Sequence, residues 1–332
     1  MQDHFIAFWN VENLFDIDRA RLDRRPDKIR RALKVGTRSS EVKGWTQAVL
    51  NTKLAQLASV ISRMNGGRGP DVLGVCEVEN KHVLELLVGA LGPLGRPYAI
   101  AHADTADQRG IDVAVIYDAS KFTIEPGGIY SHYIVKRTAT RDILQVNLRD
   151  SRGKLLVLIG NHWPARLGGQ YESEPYRIIA AETLAYFHER IAEIHGADVG
   201  VVVMGDFNDE PFDRSMTCHA RSERTRATVT RASSPALLNL MWPITGQAQG
   251  THFFENRPCT LDQILVSKGM LTGKSGFEVD LDKTTVVVYP EMVRSGQVPQ
   301  PRRFGRPSTP NEFDPAGFSD HFPVATVIRS LD

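Results

Sequence analysis

Two short stretches set the strongest limit on what this chain can fold into. Leu155-Leu-Val-Leu-Ile159 and Val201-Val-Val-Met204 are apolar on every successive residue. A strand with one wet face alternates apolar and polar residues, so strands of this kind need protein both above and below them. Further Val- and Ile-rich runs of strand length lie at Phe5–Val11, Asp71–Val78, Ile111–Tyr117, Ile143–Leu148, Leu261–Val266, Thr284–Val288 and Val324–Ile328. Between them, Leu50, Leu54, Leu57, Ile61 and Met64 recur at helical spacing, as do Tyr176, Ala180, Leu184, Phe187, Ile191 and Ile194, with a shorter run over Val83–Leu91. These stripes read as core packing, with apolar faces that no polar residue interrupts. Strands and amphipathic helices mixed in this way, in 332 residues of which 42% are hydrophobic, describe a layered α/β protein with a sizeable core.

No Pro/Gly/Ser-rich stretch separates regions of different composition, so a single domain over 1–332 is expected, with long surface loops near 18–44, 212–250 and 294–317. Phe5–Val78 and Leu155–Asn208 share a strand, helix, strand plan, a weak sign of internal duplication. The net charge is +1, which rules out a uniformly basic nucleic-acid binder. No run approaches the roughly 18 apolar residues that a membrane span needs, and Met1–Asn10 lacks the pattern of an export signal. Cys76, Cys218 and Cys259 have neither paired nor zinc-type spacing. With Met1 taken as the natural start, a cytoplasmic monomer with no membrane span and no obligate protein partner is expected.

The chemistry is written where strands stop. Asn10 ends Phe5–Trp9, Glu77 follows Asp71–Cys76, Asn161 and His162 follow Leu155–Gly160, and Asp206 and Asn208 follow Val199–Gly205. Near the C-terminus the order reverses: Asp262 opens Leu261–Val266, and Ser319-Asp320-His321 precede the last strand. In a mixed sheet, the C-terminal ends of strands running one way share a rim with the N-terminal ends of strands running the other way. Each residue alone has an ordinary explanation, a solvated carboxylate or a satisfied histidine. A polar residue at the same end of so many separate strands does not.

The motifs Trp9-Asn10-Val-Glu-Asn13, Val75-Cys-Glu77-Val-Glu-Asn80, Arg109-Gly-Ile-Asp112, Gly160-Asn-His162-Trp-Pro-Ala-Arg166, Gly205-Asp206-Phe-Asn208, Leu261-Asp262-Gln-Ile-Leu and Ser319-Asp320-His321 appear in an order that resembles the endonuclease/exonuclease/phosphatase superfamily, whose members include proteins like deoxyribonuclease I and the abasic-site endonucleases. The resemblance spans nearly the whole chain. It implies a four-layer α/β sandwich, two mixed sheets face to face with helices outside.

The resemblance also implies divalent-metal-dependent hydrolysis of phosphate esters. Glu77, with Asn10 and Asp320, and with Asp206 and Asn208 close by, is then the ligand set for Mg²⁺ or Mn²⁺; one ion or two is not readable. Asp206 becomes the base for the attacking water and Asn208 its orienting partner. His162 and His321 bind phosphoryl oxygens as cations, His162 partnered by Asp112 and His321 by Asp262. Arg109 and Arg166 are candidates for substrate phosphate. Segment 18–44 carries ten Lys/Arg against four Asp/Glu, a net of +6, and 212–231 and 294–306 carry +3 and +4. Loops of this charge at the rim would grip a polyanion, with Trp163 and Phe304 as candidate stacking platforms. The first expectation is therefore a nuclease acting on DNA or RNA. The second is a phosphatase or phosphodiesterase acting on a phospholipid head group, an inositol phosphate or a small nucleotide; Arg257-Pro-Cys-Thr-Leu-Asp262-Gln departs from the Pro-x-Trp-Cys-Asp-Arg pattern of the inositol branch. A catalytically dead binding protein is disfavoured because every expected polar position is filled.

Overall fold

The computed structural model describes residues 1–17, 44–107, 109–137, 139–305 and 313–332. Almost all of the expected loop near 18–44, and part of the one near 294–317, lie outside the described residues.

The chain opens with β1 (Gln2–Leu14), α1 (Gln47–Gly67), β2 (Val72–Val78) and α2 (Lys81–Ala90), followed by β3 (Tyr98–His102), β4 (Asp112–Asp118), β5 (Phe122–His132), β6 (Ile143–Asp150) and β7 (Leu155–His162). The long helix α3 (Gln170–His195) leads to β8 (Gly200–Asp206), then β9 (Ser222–Glu223), α4 (Arg226–Arg231), β10 (Leu237–Asn239), β11 (His252–Phe254) and β12 (Arg257–Cys259). The remaining elements are β13 (Asp262–Ser267), α5 (Lys268–Thr272), β14 (Phe277–Val286) and β15 (Val324–Ser330). Six strands form one mixed sheet in the order β14-β15-β1-β2-β4-β3, and seven form another in the order β5-β6-β7-β8-β13-β10-β9.

Packing follows from the doubly apolar strands. Between the sheets lie Ile6, Phe8, Val115, Leu158, Val202, Met204 and Ile264. The opposite face of the first sheet packs on Leu50, Leu54, Leu57 and Ile61 of α1, and that of the second on Ala180, Leu184 and Ile191 of α3. This is the four-layer α/β sandwich. The sheets approach so closely that a Cβ on Gly74 would lie 2.8 Å from the Phe8 ring and 2.9 Å from the Met204 sulfur. Both β1–β2 and β7–β8 are parallel pairs joined through a helix, one in each sheet.

Helix starts follow local capping. Thr46 Oγ1 accepts Val49 N–H at the head of α1, and Asn80 Oδ1 accepts Val83 N–H at 2.9 Å at the head of α2. Helix α3 begins six residues before the apolar stripe and runs through Pro175. There Ser173 Oγ donates to the Gly169 carbonyl and Arg177 Nη2 to the Gln170 carbonyl. The penultimate apolar run also differs from expectation: β14 spans Phe277–Val286, with a register break between Asp280 and Thr285, where Thr284–Val288 was expected.

The segment 212–250 is not a plain surface loop. Its short strands β9 and β10 extend the second sheet, and Leu237 and Met241 are fully buried. Strands of two and three residues carry no period to read. In the third segment, Val293 and Pro301 form a bridge and Phe304 packs beside Trp45 in the core outside the first sheet.

Candidate active site

The sheet topology delivers the expected rim. Strands β1 and β2 run parallel, β15 runs antiparallel to β1, and Asn10 pairs with Cys76 in register, next to Glu77. In the other sheet, Asp206 pairs with His162 on one side and Asp262 on the other. Two bulges aim the side chains: registers shift between Asn10 and Leu14 in β1 and between Cys76 and Val78 in β2. Glu12, Asn13, Glu77 and Asn208 adopt φ of 51°, 58°, 63° and 52°, left-handed values that non-glycine residues keep only when their surroundings hold them there.

Oδ2 of Asp206 is the hub. Asn10 Nδ2 donates to it at 3.0 Å, and the Nε2 atoms of His162 and His321 each lie 3.8 Å away. Asp206 is only 2% exposed, and burial pushes its carboxyl up to about 7, against the nearby His321 charge and the Asn208 and Asn10 hydrogen bonds. The network continues outward: His162 Nε2 is 3.8 Å from Glu77 Oε1, and His321 Nε2 is 3.9 Å from Asp320 Oδ1. Seven of the sequence-predicted residues, Asn10, Glu77, His162, Asp206, Asp262, Asp320 and His321, therefore meet in one place. Asn208 sits beside them, its backbone N–H on Asp206 Oδ1 at 3.0 Å and its Nδ2 on the Trp163 carbonyl at 3.1 Å.

The two histidines differ in charge. His321 Nδ1 lies 2.6 Å from Asp262 Oδ2, and although burial opposes its protonation, Asp262 and Asp206 hold its pKa well above the usual range. Burial lowers His162 far below that range, and Arg141, Arg109 and His321 add to the effect. The expected Asp112 partner is absent. Asp112 is engaged by His102 Nε2 at 3.0 Å from the neighbouring strand and by the Thr105 N–H and hydroxyl, while His162 Nδ1 has no hydrogen-bond partner among the described residues. The surroundings of His162 thus oppose the charge expected for it.

The arginines divide similarly. Arg109 bonds Glu77 Oε1 at 3.4 Å and Asn13 Oδ1, at the edge of the network. Arg166 does not face a substrate position: its Nε donates to the Asn208 carbonyl at 2.7 Å and its Nη2 reaches Asp213 and Asp209, so it braces the Asn208 loop. Trp163 and Phe304 are 0% and 1% exposed and cannot serve as stacking platforms.

A sequence model of the endonuclease/exonuclease/phosphatase family matches residues 5–330. The chain belongs to that family. A search among curated protein sequences gave no match. Among solved structures, it is similar to an endonuclease/exonuclease/phosphatase family protein from Bacteroides thetaiotaomicron, at 17% identity and a TM-score of 0.56 over 98% of this chain and 95% of the other. A mannosyl-6-phosphatase of the same organism matches at 17% identity and 0.56, over 98% of this chain and 99% of that one. D. rerio TDP2 complexed with single-strand DNA product matches at 12% and 0.57, over 99% and 100%. At these identities the likeness speaks for the endonuclease/exonuclease/phosphatase fold alone.

Four further residues surround the hub: His252, Lys53 and Arg303, which lie outside the motifs, and Glu12, which lies within the first of them. His252 packs against His321 with ring centroids 4.5 Å apart, donates from Nδ1 to the Asp320 carbonyl at 3.0 Å, and is lowered to about 4 by burial. Lys53, fully buried, bonds the Phe318 carbonyl at 2.5 Å. It interrupts the α1 stripe described above as purely apolar, one turn after Val49, and that is the signal that marks it. Glu12 accepts the Phe304 and Gly305 N–H groups at 2.9 and 3.2 Å, and Arg303 bridges Glu12 to Asp320. Two clusters here bring ligand atoms within 4.8 Å of one another: Asp206, Asp262 and His321, and His252, Asp320 and His321. Among the described residues no helix is long and apolar enough to cross a membrane.

Proposed function

We propose that this protein is a divalent-metal-dependent phosphoric ester hydrolase and, within that class, a phosphodiesterase that cleaves DNA or RNA. The observation that carries the reading is the position of Asp206, a buried carboxylate flanked symmetrically by two imidazoles that face it at 3.8 Å. A buried carboxylate between two ring nitrogens is placed to accept a proton from a bound water. Asp206 takes the proton from the attacking water, and the side-chain oxygen of Asn208, whose Nδ2 is committed to the Trp163 carbonyl, orients that water. The His321 cation, fixed by Asp262, stabilises charge on the non-bridging phosphoryl oxygens. His162 adds a positioned ring nitrogen on the opposite side.

The donor set suits a hard cation. Glu77, Asp206 and Asp320 supply carboxylate oxygens and Asn10 an amide, and the tendency of Asp206 to keep a proton is what an added positive charge would relieve. Mg²⁺ or Mn²⁺ held by Glu77, Asp320 and Asn10, with Asp206 and Asn208 adjoining, would neutralise phosphoryl charge. The strand-end residues orient the donors; the rest of the chemistry belongs to Asp206 and the histidines.

Nucleic acid as substrate is supported by the basic 294–306 segment, whose Arg303 reaches the site. One observation favours a smaller ester instead: Trp163 and Phe304 are buried, so neither expected stacking platform can meet a base. Incubation with Mg²⁺ or Mn²⁺, with and without chelator, against plasmid, single-stranded DNA, RNA, a simple phosphodiester and a phosphomonoester separates the two. Chelator-sensitive cleavage of nucleic acid is the expected result. Phosphate release from monoesters with nucleic acid untouched would transfer the assignment to a phosphatase, and no turnover of any ester would remove it. Asp206→Asn and Glu77→Gln are expected to lower turnover by at least about two orders of magnitude.

A further inference from the structure

The side chain of Arg303 is 62% exposed at the edge of the catalytic network, yet one edge of its guanidinium is rigidly held. Nε and Nη2 converge on one oxygen, Oε1 of Glu12, at 2.9 and 2.7 Å. Glu12 is itself immobile: it is 1% exposed, sits on the β1 bulge, and accepts the Phe304 and Gly305 N–H groups through its other oxygen. Arg303 Nη2 also faces Asp320 Oδ2 at 3.5 Å. Nη1 has no partner among the described residues.

An exposed arginine normally loses most of its binding energy to the cost of ordering a long side chain. Here the order is built in before any ligand arrives, because a buried carboxylate anchors the guanidinium while its free edge stays wet. Glu12, Asp320 and Glu77 act on Arg303 from its inner side, so the guanidinium is the outward-facing cation of this corner. A planar, pre-oriented cationic edge, exposed beside the acids that would hold a hydrolytic metal, fits an oxyanion.

We propose that Arg303 forms a phosphate subsite beside Asp320 and binds a phosphoryl oxygen of the substrate through its free Nη1 edge, with Glu12 as the residue that positions it. This deepens the phosphoester reading, and only its kinetic arm rests on that reading. It also replaces Arg166, whose guanidinium is committed elsewhere, as the second arginine for substrate beside Arg109.

The test has a binding arm and a kinetic arm. In the presence of Mg²⁺, inorganic phosphate titrated calorimetrically into the full chain should bind, and Arg303→Gln should weaken that binding about ten- to hundredfold, the range for one charged hydrogen bond. Arg303→Lys should restore little, since an ammonium cannot stay on Glu12 while presenting a second edge. For the best ester found, Arg303→Gln should raise KM by a similar factor and leave kcat within about twofold. Phosphate affinity unchanged in Arg303→Gln, or a loss confined to kcat at constant KM, overturns the subsite, as does a wild-type protein that binds no phosphate. Phosphate bound through Arg303 by a protein that hydrolyses no ester keeps the subsite and overturns the hydrolase.

Discussion

Oδ2 of Asp262 lies 2.6 Å from Nδ1 of His321, and this one contact decides which of the two imidazoles at the site carries charge. Burial penalises a cation on both rings. His321 has a carboxylate in hydrogen-bond contact, whereas the nearest acids to His162, Glu77 and Asp206, lie at 3.8 Å and Arg141, Arg109 and His321 act against its charge. A pH profile should report that asymmetry. A folded-state pKa above the usual value means that His321 stays protonated through neutral pH and loses its proton only on the alkaline side. Asp262→Asn removes the strongest support of that charge, so the alkaline limb of the profile should move to lower pH and turnover at pH 8 should fall about a hundredfold. A folded Asp262→Asn protein with the wild-type profile would show that the pair is structural.

Arg166→Ala separates bracing from binding. Because the guanidinium holds the Asn208 carbonyl and the acids of the following loop, its loss should displace Asn208 and lower kcat about tenfold while KM changes little. A KM effect without a kcat effect would restore the arginine to the substrate.

Lys53 is the cation of the buried corner beneath Asp320. Burial lowers its pKa to about 8, and Glu12, Asp320 and Glu77 oppose that fall. Lys53→Met removes the buried cation that Glu12 and Asp320 feel and leaves the Phe318 carbonyl without its donor, and should destabilise the fold by about 3 kcal/mol. Denaturant midpoints at constant slope measure it. A neutral or stabilising result would mean that Glu12 accepts a proton when the lysine is gone, in keeping with the upward direction of its own pKa, which burial and then Asp320 produce.

Stability should also fall in mild acid for a reason unrelated to catalysis. His188, buried within α3, is lowered to about 4 by burial, with Arg221 adding to the effect. The unfolded chain binds this proton near pH 6.5 and the folded chain does not until about 4, so stability is fully present above 6.5 and drains away as pH falls toward 4. The contribution is up to about 3 kcal/mol. His188→Gln should flatten the pH dependence of the unfolding free energy in that window; an unaltered slope would contradict the burial argument.

What could be read from the sequence and what could not has a common physical basis. Period and polarity are local, so the long strands, the helical stripes and the polar residues at strand ends were legible, and the mixed topology brought seven of the named side chains together. Contacts across sequence are not local. Nothing beside Asp112 says that its neighbour is His102 and not His162, and nothing beside Arg166 announces Asp213. Trp163 and Phe304 illustrate the same gap, since an aromatic next to a catalytic motif reads alike whether it faces solvent or core. Lys53 is legible as a charge at a core-facing position of α1, masked only by the apolar residues around it.

The seam between the two sheets runs through the middle of the hub. Asn10, Glu77, Asp320 and His321 come from the six-stranded sheet and the turn leading into it, while His162, Asp206 and Asp262 come from the seven-stranded one. Neither half alone holds a complete set, so catalysis acts as a caliper for how the halves are docked. A graft that widens that gap, such as a side chain at Gly74, would blunt turnover before it melted the protein, and during refolding activity would be the last property to return.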